Sequence, residues 1–145
     1  MSKDLVPQMG QFDEIISIID NARTRALKAV NAELIQMYWS VGEYLSDLCA
    51  NSRFGDKVID EVASFVAQAN PGIKGFNRRG LYRMKQFYET YKDDEFVTPL
   101  VTQISWTNHL LIMSGSKTAA ERHFYMMLFA RERFPSCLPH LPYRP

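Results

Sequence analysis

Apolar residues return every three or four positions between residues 12 and 48, at Ile16, Ile19, Leu27, Val30, Leu34, Met37, Val41, Leu45 and Leu48, with the polar Arg23 filling the one gap. That period is helical. No proline interrupts it, so the stretch predicts either one helix of about ten turns or two helices bent near Gly42. Asp13 and Glu14 suit the positive N-terminal end of the helix dipole. Residues 1–11 lie outside the pattern and read as a flexible N-terminus.

Asn51, Ser52 and Gly55 mark a loop, after which Asp56 can cap a second helix carrying Val58, Ile59, Val62, Phe65, Val66 and Ala69. That helix stops at "NPGIKG", residues 70–75, where Pro71 disfavours helix for Asn70 and two glycines permit a tight turn. Asn77 is placed to cap a third helix from Arg78 to about Lys92, and "KDDE" follows as a charged connector. Residues 96–104 are ambiguous. Val97, Thr98, Val101 and Thr102 are β-branched and leave a short strand or wing open, whereas Phe96, Leu100, Val101 and Ile104 fit one helical face, the preferred reading. Ser105 can cap a short helix over residues 106–113. The last helix, 117 to about 134, opens with the capping-box pattern of Thr118 and Glu121 and has an apolar face of Phe124, Leu128 and either Tyr125 or Phe129. Four prolines in residues 135–145 end it, leaving a loose or extended tail. The expectation is an all-α domain over residues 12–134, its long first helix packed on a helix-turn-helix or winged-helix-like unit.

Length and composition fit that expectation: 145 residues suit one domain, and 46% hydrophobic content suits a globular core. Cys49 and Cys137 stand far apart outside any CxxC pattern, no apolar run is long enough to span a membrane, and the N-terminus does not read as a leader, so a reducing cytoplasm is expected. Charge changes the picture more. Residues 74–92 hold six cations (Lys74, Arg78, Arg79, Arg83, Lys85 and Lys92) against Glu89, a local +5, so the rest of the chain carries −4 to reach the overall +1. A basic island on a faintly acidic body can offer only one face to a polyanion.

On a helical wheel the stretch "GFNRRGLYRMKQFYETY" divides cleanly. Arg78, Arg79, Tyr82, Arg83 and Lys85 share one side, and Gly80, Leu81, Met84, Phe87, Tyr88 and Tyr91 the other. An amphipathic helix with a solvated face explains this by itself. Yet the cations crowd the first turns, where the helix dipole favours acids. The second helix of a DNA-binding pair likewise inserts its N-terminal residues into the major groove, although the connecting turn here is longer than in the tight motif. Arg78, Arg79, Tyr82 and Arg83 are the candidate contacts, Lys74 and Lys85 would take flanking phosphates, and Asn77 adds a polar group. Duplex DNA is the expected partner, with RNA left open.

Other chemistry finds little support. His109, His123 and His140 lack metal-ligand spacing, so His109 reads as a hydrogen-bonded structural residue; no phosphate loop or nucleophile motif occurs, and the acids of residues 93–95 lack the strand pair and lysine of a metal-dependent nuclease. No cofactor, metal site or small-molecule substrate is expected, and no catalysis.

Five ordered stretches, "NAELIQMYWSVGEYL", "FGDKVID", "GIKGFNRRGLYRMKQFYETY", "ISWTNHLLIM" and "ERHFY", resemble the N-terminal domain of the YhcG-type family. In that family a helical module precedes a PD-(D/E)xK nuclease domain, and the resemblance implies a bacterial DNA-binding role. Its "GFSxxNLxxM" pattern falls on Gly75, Phe76, Asn77, Leu81 and Met84; Asn77 replaces the serine and keeps a capping side chain, while Gly80 replaces the asparagine and removes a possible contact. After Phe134 the resemblance ends, the nuclease half is absent from this chain, and residues 135–145 look like a truncation, a shifted reading frame or a shortened gene product. The rival reading is a protein-interaction or dimerisation module, because Leu27, Val30, Leu34, Met37, Val41 and Leu48 approach a heptad along which the first helix could pair with its copy.

Overall fold

A computed structural model describes residues 2–51, 53 and 55–132. Among them the chain is all-α: α1 Ser2–Asn51, α2 Gly55–Ala69, α3 Arg78–Tyr91, α4 Trp106–Gly115 and α5 Ala119–Glu132, with a 3-10 turn at Val101–Gln103. The first helix is single and uninterrupted through Gly42, and it starts at Ser2, so helix continues over residues that sequence reading left flexible. Residues 133–145, including the end of the last helix and the proline-rich tail, lie outside the described residues.

The core is built on the crossing of α1 and α3. Ile35, Phe87, Tyr91, Ile104, Ile112, Met126 and their neighbours form one cluster, closed by α4 and α5. Leu45, Ile59, Leu81 and Met84 form the other, closed by α2. Phe87 sits edge-on to Trp39 at 5.5 Å and to Trp106 at 5.2 Å, while Tyr38 stacks on Trp106 at 4.3 Å. Gly42 makes the crossing close: a β-carbon there would stand 2.1 Å from the Met84 carbonyl oxygen. At the edge of the core the Asn31 amide donates to the carbonyls of Thr102 and Ile104, 3.1 Å each, pinning the irregular segment to α1.

Three expectations need correction. The apolar stripe of α1 is core only toward its C-terminal end: Ile16, Ile19, Leu27, Val30 and Leu34 are exposed, Leu27 by 70%, whereas Leu45 is buried, Val41 and Leu48 are half-buried, and Ile35 and Gly42 face inward beside them. Length explains this. Fifty residues make a helix of about 75 Å, and the 14 residues of α3 cover about 21 Å of it. Next, residues 96–104 form neither strand nor α-helix but successive turns, with the Thr98 and Val101 amides bonded to the Asp94 and Val97 carbonyls before the 3-10 turn. Pro99 has no N–H to continue a helical ladder, so the run cannot propagate. Finally, Phe124 is exposed; the expected alternatives Tyr125 and Phe129 are both buried, Leu128 packs against the core, and Met126 joins them.

His109 is fully buried against Phe87, where its Nε2 donates to the Val101 carbonyl at 2.7 Å. Burial depresses its pKa to about 4, partly countered by that bond. The folded state therefore resists the proton that the unfolded chain accepts below about 6.5. His109 contributes its full stability above that pH and loses it as pH falls toward 4. Denaturant titrations should find wild type losing about 2 kcal/mol more than His109→Gln between pH ~6.5 and ~5. The crossing gives a second test. Gly42→Ala must displace backbone and should cost about 1 to 3 kcal/mol or more, while Gly10→Ala, with open space around it, should gain up to ~1 kcal/mol by helix propensity. Thermal unfolding of the two variants should shift in opposite directions.

Candidate nucleic-acid interface

The turn before α3 places its N-terminus. Gly72 and Gly75 take φ of 93° and 88°, the left-handed region that favours glycine. Asn77 then caps the helix with an extended backbone, its Oδ1 accepting from the Gly80 amide at 2.8 Å. Gly80 has a steric role that its identity in the sequence did not disclose: a β-carbon would lie 1.9 Å from the Gly75 carbonyl oxygen, so the turn folds over the first turn of the helix only because residue 80 has no side chain. Any larger residue there, the asparagine of the resembled pattern included, requires the turn to move.

With Leu81, Met84, Phe87 and Tyr91 buried, the opposite face of α3 turns outward as the wheel predicts. Lys74 and Arg79 are exposed, while Tyr82, Arg83 and Lys85 are half-buried. Among the described residues Lys74, Arg79 and Arg83 make no ion pair, and the first turn contains no acid. The other two candidate cations, Arg78 and Lys85, are engaged. Arg78 reaches Asp60 of α2 at 3.5 Å and lies over the Tyr82 ring at 5.5 Å. Lys85 donates to Glu89 at 3.1 Å, and the other oxygen of that carboxylate accepts from Ser46 of α1 at 2.8 Å. Partial burial pushes the Glu89 pKa up, but the bonds from Ser46 and Lys85 more than offset it and leave the group below its ordinary value. The seven candidates therefore divide: Lys74, Arg79 and Arg83 as open cations, Arg78 and Lys85 in exposed pairs of small net worth, Tyr82 beneath Arg78, and Asn77 committed to the cap.

At the far end of α3 the field changes. The Tyr88 hydroxyl is pushed above its ordinary pKa by desolvation and then by the carboxylates of Glu43, Asp47 and Asp93. Lys92 lies over the Tyr88 ring at 5.8 Å, so this end of α3 mixes acids of α1 and the following loop with one cation. Sequence spacing could have found the Lys85–Glu89 pair, four residues apart on one helix. It could not have found Asp60 or Ser46, which meet α3 only through the tertiary fold. Among the described residues no group of His, Cys, Asp and Glu could hold a metal ion, and no helix is long and apolar enough to cross a membrane. His123 bonds Asp94 at 2.6 Å, beside a cleft of about 410 Å³ lined by Phe96, Phe124, Met127 and Arg131.

The cap can be tested alone. Asn77→Ala should cost about 1 kcal/mol of stability, and Asn77→Ser should retain most of it, as measured by chemical denaturation.

The model of one protein family, described as the DUF1016 N-terminal domain, matches residues 14–137. No curated protein and no solved structure matches the chain.

Proposed function

The chain belongs to the DUF1016 N-terminal domain family, and on that premise we propose that it is a DNA-binding module whose contact surface is the N-terminal end of α3. The observation that carries the reading is the grouping of Arg78, Arg79 and Arg83 in an acid-free start of a helix whose other face buries Leu81, Met84, Phe87 and Tyr91. Stability alone favours the reverse arrangement, acids at the positive end of the dipole. Cations and helix N-terminus act together on an anion, and a phosphate is the ligand that both attract. Arg79 and Arg83, one turn apart, would take the backbone or a guanine edge, with Lys74 on a flanking phosphate. Arg78 and Lys85 can exchange Asp60 and Glu89 for phosphates at little cost, because exposed pairs are weak. Asn77 holds the helix start in place, and Tyr82 supports Arg78 from below.

The resemblance to the YhcG-type family suggests what such binding serves: in the longer relatives this domain would bring a nuclease domain to its DNA. Binding, not catalysis, is the role assigned to this chain, and the free thiol of Cys49 suits a reducing cytoplasm.

Fluorescence anisotropy with a short duplex provides the test. Three to five phosphate contacts, from Lys74, Arg78 and Lys85 alone or with Arg79 and Arg83 on the backbone as well, predict that log K falls against log salt with a slope between about −3 and about −4.5, and that Lys74→Ala makes it shallower by about 1. Arg79→Ala with Arg83→Ala should weaken binding at all salt concentrations while leaving circular dichroism unchanged. Absence of duplex binding at ~50 mM salt, or binding indifferent to salt, contradicts the proposal.

A further inference from the structure

The N-terminal half of α1 leaves the body of the protein. From residue 10 to residue 30 only Thr24 is even half-buried, and Phe12, Ile15, Ile16, Ile19, Leu27 and Val30 are exposed by 49% to 70%. At about 100° per residue these six side chains lie on one stripe, centred roughly a third of a turn around the helix from Ile35 and Gly42, which face inward, while Leu45 shares the angle of Leu27 but lies about five turns further along, inside the body. A partner on the stripe therefore does not compete with the domain's own core. Helices draw most of their stability from packing an apolar face, and this arm has such a face that no other element among the described residues covers.

We propose that the stripe is the seam of an antiparallel dimer, in which the α1 arms of two copies of this chain pair about a centre between residues 21 and 22. This goes beyond the nucleic-acid reading and stands without it. Charge selects the occupant and the direction. The arm carries Asp13, Glu14 and Asp20 in its first half and Arg23, Arg25 and Lys28 in its second. A parallel pair in register sets like charges side by side, with Arg23 facing Arg23 in the middle of the seam. The antiparallel pair lays the acidic half of each arm beside the basic half of the other, and Arg23 of one copy meets Asp20 of its partner. In that alignment Ile16 lies by Leu27 and Phe12 by Val30. The stripe steps by four, three, four and four through residues 12, 16, 19, 23 and 27, and the repeated four is a stutter that unwinds the supercoil locally where Arg23 sits.

Area agrees with a second copy. A large apolar side chain removes ~60 to 120 Å² on burial, so six from each arm give on the order of 1,000 Å², the lower bound of a specific interface. A lipid surface fits less well, since interfacial helices carry lysine and arginine on their polar face and this one balances three acids with three bases.

Sedimentation equilibrium of the full chain without nucleic acid, from ~1 to ~200 μM, tests the proposal. A monomer–dimer equilibrium is expected, abolished by Ile19→Asp with Leu27→Asp and unaffected by Phe65→Asp, a change at an exposed apolar site on α2. Circular dichroism and thermal unfolding of each variant check that the body is intact. Asp20→Arg should weaken the dimer about tenfold, and adding Arg23→Asp should restore it. A monomer throughout, or a dimer indifferent to the arm variants, overturns the proposal. A dimer that Asp20→Arg leaves unchanged, or that the double exchange fails to restore, overturns the antiparallel pairing.

Discussion

The close crossing of α1 and α3 is the constraint on which the rest of the molecule depends. Gly42 lets the Met84 carbonyl approach to a distance that no side chain permits. Both halves of the core grow outward from that contact: Leu45, Leu81 and Met84 meet Ile59 on one side, and Ile35, Phe87 and Tyr91 meet α4 and α5 on the other. Because one face of α3 is fixed there, the opposite face, which carries the cations, must look outward. Ser46 and Glu89 tie the same two helices together at the surface, beside Lys85.

The crossing also explains what α1 leaves uncovered. A helix of 50 residues meets partners of 10 to 15 residues near one end only. Asn31, bonded to the carbonyls before α4, marks where contact with the body begins. Toward the N-terminus from there the helix carries an apolar stripe, broken once by Arg23, that nothing among the described residues covers. The molecule therefore divides its two surfaces of interest by position, with a cationic end on α3 close to the core and an apolar arm leading away from it.

Much of the fold could be read from the sequence where a local interaction decides the outcome. The caps at Asn77, Ser105 and Thr118 each accept the amide three residues on, as their side chains and positions implied. The two-sidedness of α3 was equally legible, since helical period alone separates Leu81, Met84 and Phe87 from Arg79 and Arg83. What escaped depends on what lies across the space between elements. Periodicity identified the stripe of α1 but not whether it faced the body, because Ile16 and Ile35 are equally apolar and only the length of the opposing helices distinguishes them. In residues 96–104 the β-branched and helical patterns both failed, because Pro99 and the Asp94 carbonyl set a chain of turns there. Of the candidate site, sequence named the cations; it could not say that Arg78 reaches Asp60 or that Gly80 exists to admit the Gly75 carbonyl.

Amide hydrogen exchange along α1, followed at low and high protein concentration, tests the central claim that one helix serves two faces. The account predicts slow, concentration-independent exchange across residues 35–49, where α3 covers the helix, and exchange at residues 12–30 that is fast in dilute solution and slows as concentration rises. Uniform protection along the whole helix in dilute solution, or fast exchange at residues 35–49, would contradict it.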